Sequence, residues 1–224
     1  MARKFKTISY SADNVWAAAA AATRINGGYV KEARYDYDPA TGETTLISEA
    51  NKRMVSAMLE LGQGWTDEDV VVANEARDYW KGGVMKLLTG EVKEFERMAI
   101  TLADVETVDS FLNVAVISSL VASAKRGMLR DNLEQEKRFS NSEWQAAVKA
   151  NIVLKDLEVL VCTYSENFAS YRFEGKIDGN FFSWWGKEKI AVGTKLNGKA
   201  RVKAHATDSK SGAKVTQINY LKVA

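Results

Sequence analysis

A basic run near the C-terminal end of the chain is the feature with the clearest chemistry. The run reads Lys199-Ala-Arg-Val-Lys-Ala-His205, so a basic side chain recurs at every second position. Because successive side chains of a β-strand point to opposite faces, a strand here places the basic residues on one face and small apolar residues on the other. Several cations on one surface are what binding to a phosphate backbone requires. The alternative is an ordinary half-exposed strand whose outer face is basic.

Aromatic residues precede this run and could supply the base-stacking contacts of a nucleic-acid-binding surface. The segment Phe181-Phe-Ser-Trp-Trp185 follows a predicted hairpin turn, and two cations follow it in Lys187-Glu-Lys189. Exposed rings beside cations are typical of surfaces that stack the bases of single strands. Strict alternation puts Trp184 and Trp185 on opposite faces, so we expect one to be buried and Trp185 to be exposed; the alternative is that all these rings pack in the core. The predicted contact residues are Lys187, Lys189, Lys199, Arg201, Lys203, His205, Trp185, Trp184 and Tyr171.

Catalytic groups are scarce in this sequence. One cysteine, Cys162, and one histidine are too few for a disulfide framework, the usual zinc ligand sets or a metalloprotease His pair. The acidic residues of segments 36–38 and 67–69 suit a turn and a helix start rather than the converging carboxylates of a two-metal nuclease. Neither Gly-Gly pair is followed by the Lys-Ser/Thr of a P-loop. The sequence therefore predicts a non-enzymatic protein with no cofactor and no metal.

Composition places the chain among globular proteins. Of its 224 residues 46% are hydrophobic and 27% are charged, which is enough to form a core and excludes the disordered and low-complexity classes. The net charge of +2 by itself indicates no polyanionic partner. No secretory segment and no apolar run long enough to cross a membrane are present. We therefore expect a cytoplasmic protein with no membrane partner.

The chain changes character near residue 140, which predicts two domains, 1–139 and 140–224. The first part has 18 Lys and Arg against 21 Asp and Glu, or −3, whereas the second has 13 against 8, or +5. Helical periodicity dominates the first part, which also contains a predicted hairpin over 35–47. In the second part, short alternating runs separated by turn residues predict five strands, over 153–164, 169–178, 180–186, 194–206 and 214–223. The predicted fold class is therefore α+β, a mainly helical domain followed by a β-barrel.

Five strands in about 80 residues match the size of a five-stranded OB-type barrel, with an SH3-like barrel as the competing fold. The segments 164–175, 180–185, 192–205 and 216–223 also resemble a C-terminal module common in tailed-bacteriophage proteins. That module is similar to nucleic-acid-binding OB-folds, and most proteins that carry it have no assigned function. The matching positions are Val192, Gly193, Gly198, Val202, Lys203, His205, Thr216, Gln217, Asn219 and Lys222. The segment Asp208–Lys214 departs from the usual pattern.

The function that these features predict is non-enzymatic binding of single-stranded nucleic acid, with DNA preferred over RNA. The resemblance implies a setting in phage replication or recombination, in the host cell cytoplasm, with phage or host replication proteins as possible partners. The helical domain would serve a protein partner or a homo-oligomer. The alternative function is a protein–protein adaptor or host-takeover factor whose OB-type barrel never contacts nucleic acid.

Overall fold

The computed structural model describes residues 9–89 and 92–223 and shows a mixed α+β protein. The chain forms two compact units, Met1–Met128 and Leu129–Ala224. The first unit is mainly helical and the second is built on a closed barrel of five strands. The predicted fold class is thus confirmed at the level of a helical part followed by a β-barrel.

The helical unit packs around α1, a helix made largely of alanine. Its buried run Ala17–Ala22 presents small side chains on every side, which lets neighbouring helices approach closely. Helix α3 begins in a capping box formed by Thr66 and Asp69, and Arg24 of α1 donates to the Asp69 carboxylate at 2.8 Å. The elements are β1 Tyr10–Ser11, α1 Ala12–Ile25, β2 Arg34–Tyr37, β3 Thr44–Ser48, α2 Asn51–Leu61, α3 Asp67–Lys81, α4 Val84–Thr89, α5 Glu94–Asp104, β4 Thr107–Val108 and α6 Phe111–Arg138.

The predicted hairpin is present as β2 and β3, which pair antiparallel with Tyr35 opposite Leu46 and Tyr37 opposite Thr44. The Asp38 carboxylate holds the turn by accepting the backbone N–H of Ala40 at 2.8 Å. In the described part of the chain no third strand pairs with this hairpin, and both of its strands are exposed along nearly their whole length.

The barrel closes in the strand order β5-β6-β7-β9-β8, with β8 pairing back to β5. All neighbouring strands are antiparallel except β7 and β9, which are parallel. Strand β5 is long and bent, so its first half pairs with β8 and its second half with β6. The strands are β5 Asn151–Ser165, β6 Ser170–Ile177, β7 Asn180–Gly186, β8 Lys195–Thr207 and β9 Lys214–Val223.

Large apolar side chains fill the interior of the barrel. Trp184 is 3% exposed and stacks on Phe173 with ring centroids 5.2 Å apart. Gly175 lies against the β5 backbone, where an added Cβ would come within 2.5 Å of the Glu158 carbonyl oxygen. Trp185, the next residue on the strand, is 48% exposed, so one tryptophan of the pair is buried and the other is exposed, as expected. The buried cluster consists of Leu154, Leu157, Val159, Phe173, Phe182, Trp184, Leu196, Ala200 and Ile218.

The last turns of α6 pack on the outside of the barrel. Leu133 contacts a second apolar cluster that contains the buried residues Phe181, Ala213 and Val215. Lys137, four residues further along the helix, is 5% exposed and pairs with the carboxylate of Glu174. This helix end therefore covers part of the outer face of β6 and β7.

Asp208 holds the loop between β8 and β9. Its carboxylate accepts the backbone N–H groups of Lys210 and Ser211, each at 3.0 Å, and Lys137 Nζ lies 3.4 Å away. Partial burial raises the pKa of Asp208, but the Ser211 and Lys210 N–H groups, the Ser211 hydroxyl and the Lys137 charge lower this pKa more strongly, to about 2. The ionised form therefore stabilises the loop.

Acid should remove this contribution. The pKa of Asp208 lies below its usual value of 3.8, so the stabilisation is complete above that value and is lost as the pH falls through about 2. We expect the difference in unfolding free energy between wild type and Asp208→Asn to shrink by about 2 kcal/mol between pH 5 and pH 1.5. Urea unfolding across this range measures the difference, with the exposed loop variant Glu188→Gln as control. A difference that does not change with pH would contradict the prediction.

Candidate functional site

An open groove of about 460 Å³ lies on the outside of the barrel where β5, β8 and β9 run side by side. Lys199 is the central residue, since it lies opposite Val153 of β5 on one side and opposite Lys222 of β9 on the other. We call this site the basic groove. It is lined by Asn151, Ile152, Val153, Lys199, Ala200, Arg201, Tyr220 and Lys222.

The cations at the basic groove are exposed, and no ion pair with another described residue engages them. The predicted alternation is observed in β8, where Lys199, Arg201 and Lys203 are exposed and the intervening Ala200 and Val202 are buried. Arg201 donates from Nε to the Lys149 carbonyl oxygen at 3.0 Å, which brings a further lysine to the edge of the site. Within residues 9–89 and 92–223, no carboxylate forms an ion pair with Lys149, Lys199, Lys203 or Lys222. The site therefore has an uncompensated positive charge.

Tyr220 places an aromatic ring among these cations. The register of β8 and β9 shifts between Lys199 and Arg201, so Tyr220 is an extra residue on β9, with φ +52° and 75% of its surface exposed. The strands approach so closely here that a Cβ on Gly198 would lie 2.2 Å from the Lys222 carbonyl oxygen. Sequence reasoning missed Tyr220, because tyrosine does not favour a positive φ and nothing in the pattern of β9 indicates a bulge.

His205 does not share the face of Lys199, Arg201 and Lys203, which corrects the prediction from strict alternation. The register shifts again between Val202 and Ala204, so the extra residue reverses the facing of the side chains that follow. The His205 ring stacks on Trp144 with centroids 5.2 Å apart, and its Nε2 is 2.9 Å from the Ala146 carbonyl oxygen. These contacts give His205 a structural role in holding the segment that precedes β5.

A second surface gathers aromatic rings at the far end of the barrel. Trp185 packs edge-to-face against Phe168 at 5.2 Å, and Tyr171 lies 5.0 Å from Tyr164. The predicted residues Lys187 and Lys189 are exposed in the segment that follows Trp185. We call the surface formed by Phe168 and Trp185 the aromatic rim. Tyr171 is half-buried and packs against the inner cluster of the barrel, on the opposite face of the sheet from Trp185, so this predicted contact residue does not belong to the rim. Sequence reasoning did not identify Tyr164 or Phe168.

Trp184 does not belong to either surface, and its inclusion among the predicted contacts is corrected. It lies opposite Phe173 of β6, and both side chains point into the barrel. At 3% exposure the Trp184 indole cannot stack on a ligand at the surface.

The basic groove and the aromatic rim are separate, whereas the sequence suggested one continuous surface. Lys199 of β8 pairs with Val153 of β5. Trp185 of β7 pairs with Arg172 of β6, and Arg172 pairs with Thr163 of β5, which is ten residues after Val153. Ten residues of strand cover roughly 33 Å along the chain, and β5 bends between these two positions. In addition, β8 and β7 are not neighbours in the barrel, so their outer faces point in different directions.

The C-terminal end of α6 covers part of the outer face of β6 and β7 and so reduces the surface that is open to a ligand. Lys176 donates to Glu136 at 2.7 Å, and Lys137 pairs with Glu174, so the middle of this face is engaged by the chain's own side chains. Arg172 also pairs with Glu174, at 2.8 Å, so the open part of this face is the exposed ring of Trp185. The basic groove has no such cover from described residues.

The chain matches no protein-family model, no curated protein and no solved structure. In the described residues, no three His, Cys, Asp or Glu side chains lie close enough together to hold a metal ion. No helix over the same residues combines the length and the apolar character that crossing a membrane requires.

Proposed function

We propose that the barrel is OB-type and binds single-stranded nucleic acid, with DNA preferred, as a non-enzymatic protein. The strand arrangement supports the fold assignment. The first three strands form a meander, the fourth pairs back to the first, and the fifth lies between the third and the fourth. This is the Greek-key arrangement of a five-stranded OB barrel.

The basic groove carries the proposal. It combines unpaired cations at Lys199 and Lys222 with the exposed ring of Tyr220 in one open site. Ammonium groups neutralise phosphates, and an aromatic face stacks on any base, so together they favour single strands without selecting a sequence. Val153, which is 61% exposed, extends the apolar part of the site.

The covered outer face of β6 and β7 supports the choice of the basic groove over the aromatic rim. OB-type barrels take oligonucleotides on the face of their second and third strands and on the adjoining loops. In this chain Lys137 and Leu133 occupy the middle of that face, and the loop of Asp208 is held by the same helix end. We therefore assign the principal contact to the basic groove and a secondary contact to the aromatic rim.

Titration of the full chain with a labelled oligodeoxythymidine at several salt concentrations tests the proposal. For Lys199→Glu with Lys222→Glu, we expect weaker binding and a slope of log K against log salt that is smaller by about 1.4, because each phosphate contact contributes about 0.7. Tyr220→Leu should cost about 1–3 kcal/mol of binding through lost stacking while leaving that slope unchanged.

The matched control is Lys155→Glu with Lys195→Glu, which makes the same charge change at a different cleft of the barrel. Equal loss of affinity in the control and groove variants would show that only the net charge matters. Unchanged binding in the groove variants would exclude the basic groove.

The resemblance to tailed-phage proteins supports a setting in replication or recombination in the cytoplasm of the host cell. Phage or host replication proteins are the proposed partners there. The second candidate function is the protein–protein adaptor, and the exposed hairpin of β2 and β3 favours it. This hairpin presents Tyr35, Tyr37 and Leu46 to solvent at 56%, 62% and 48% exposure.

A further inference from the structure

The outer face of β6 and β7 presents cations and aromatic rings side by side. Lys176 of β6 pairs with Phe181 of β7. Four residues further along β7, Trp185 pairs with Arg172, so these four side chains share one face, which we call the covered face. Trp185 is exposed, whereas Phe181 is buried in the cluster that Leu133 of α6 joins. One ring of this face is therefore open to solvent and the other is closed off by the chain itself.

The end of α6 offers carboxylates to cations that a phosphate backbone could use. Glu136 accepts a hydrogen bond from Lys176 Nζ at 2.7 Å. Glu134 accepts one from Nζ of Lys210, in the loop between β8 and β9, also at 2.7 Å. An ammonium group donates to a phosphate oxygen as it does to a carboxylate. The two glutamates therefore take places that phosphates would take.

Ion pairs join this helix end to the barrel more than apolar burial does. Among the described residues, Leu133 is the one side chain of 129–138 that packs on the apolar clusters of the barrel, and Leu129, one turn earlier, is exposed. Four ion pairs complete the contact. The pairs of Glu134 and Glu136 are partly exposed, so a competing polyanion can reach them.

The carboxylates beside Lys137 keep other partners when the helix end leaves. Glu174 also pairs with Arg172 at 2.8 Å, and Asp208 accepts N–H groups from its own loop. Departure of the helix end would therefore free the two lysines that its glutamates engage. It would also uncover the Phe181 ring, since Lys137 Nζ lies 5.8 Å above the centre of that ring.

We propose that the C-terminal end of α6 is a displaceable cover and that the covered face is a second site for single-stranded nucleic acid. Phosphates would replace the glutamate carboxylates on Lys176 and Lys210. Bases would stack on Phe181 and Trp185. The ligand class is that of the proposed function, on which this proposal rests. Because only chains with a released helix end can use the site, its apparent affinity falls with the fraction of such chains.

Titration of the full chain with the labelled oligodeoxythymidine tests the cover through Lys137→Met. This substitution removes a positive charge, so a helix end with a purely structural role predicts unchanged or weaker binding. Release of the cover predicts the opposite, binding that is at least about tenfold tighter, because more chains have an open face. A folded Lys137→Met chain that binds no more tightly than the wild type would overturn the proposal.

Leu133→Ala loosens the same cover without a change of charge, and it decides the question if circular dichroism shows that Lys137→Met is unfolded. Its matched control is Leu129→Ala, the same substitution at the exposed position one turn earlier on α6. We expect Leu133→Ala to bind at least about tenfold more tightly and Leu129→Ala to bind as the wild type does. Equal affinities of the two leucine variants would overturn the proposal.

Hydrogen exchange locates the added binding in the Leu133→Ala chain. With saturating oligonucleotide, we expect the amides of 181–185 to exchange at least about tenfold more slowly and those of 129–138 to exchange faster. Slowing that is confined to β8 and β9 would place all of the binding at the basic groove and would contradict the cover.

The same titrations separate this proposal from the proposed function. A wild type that binds, with Leu133→Ala binding no more tightly than Leu129→Ala, leaves the proposed function standing and overturns the cover. A wild type that does not bind, with a Leu133→Ala chain that does, overturns the principal contact at the basic groove and supports the cover. Absence of binding in every variant overturns both.

Discussion

Replacement of Lys137 by alanine is expected to lower the free energy of unfolding of the barrel unit by about 3–5 kcal/mol. The Lys137 ammonium is buried beside Glu174 and Asp208, whose side chains are 16% and 26% exposed. It also lies 5.8 Å above the centre of the Phe181 ring. Without this cation, the Glu174 carboxylate keeps only its pair with the exposed Arg172, the Asp208 carboxylate keeps only the hydrogen bonds within its loop, and the ion pairs that hold the helix end on the barrel are lost.

Hydrogen exchange of the β6 and β7 amides measures the stability of the barrel unit separately from that of the helical unit. The control is Lys210→Ala, which removes the exposed pair with Glu134 and should cost no more than about 1 kcal/mol. Replacing the whole set, as Lys137→Met with Glu174→Gln and Asp208→Asn, should recover much of the loss, because no unpaired charge is then buried. A cost for Lys137→Ala as small as that of Lys210→Ala would show that the buried pairs do not hold the helix end.

The adjacent tryptophans should respond to alanine in opposite ways. Trp184→Ala is expected to cost about 3–5 kcal/mol of stability, because it empties the space where the indole stacks on Phe173 inside the barrel. Trp185→Ala removes a ring that is 48% exposed and touches Phe168, so its cost should stay below about 1 kcal/mol.

Thermal unfolding of the two variants, followed by circular dichroism, makes the comparison directly. Because the residues are neighbours on one strand, each variant serves as the control for the other. If the proposed function holds, Trp185→Ala should also weaken binding of an oligonucleotide less than Tyr220→Leu does, since we propose the basic groove as the principal contact. Similar melting temperatures for the two tryptophan variants would contradict the placement of the rings on opposite sides of β7.

Side-chain alternation is sufficient to predict the strands and, for many residues, whether the side chain faces the interior or the exterior of the barrel. It places Lys199, Arg201 and Lys203 together and separates Trp184 from Trp185, as observed. Alternation fails at the two bulges between β8 and β9, because an extra residue is set by how two strands pair and leaves no mark on the composition of either strand. His205 was therefore assigned to the wrong face, and the exposed ring of Tyr220 was not anticipated.

The relation between the two predicted contact groups could not be derived from the sequence either. Lys199 and Trp185 are close along the chain, but the pairing of β8 with the first half of β5 and of β6 with its second half places them at different ends of the barrel. The sequence also assigns the end of α6 to the helical domain 1–139 and does not indicate its contact with the barrel, because residues 129–138 are rich in charged side chains. Leu133 and Lys137 acquire their partners only through long-range contacts with Phe181 and Glu174.

Strands β7 and β9 pair in parallel, and we call this junction the seam of the barrel. It is confined to Phe181–Ser183 and Val215–Gln217, whereas β9 pairs with β8 along most of its length. Parallel pairing is slightly less stable per residue than antiparallel pairing, and this pairing is also short. We therefore expect local unfolding to separate β7 from β9 before the other strand pairs. Leu133 packs against the cluster that contains Phe181 of β7 and Val215 of β9, so the end of α6 stabilises the pairing of these two strands. Tyr220 and Lys222 of the basic groove lie beyond the seam, where β9 pairs with β8, so opening of the seam would leave the strand pairing that shapes the groove intact.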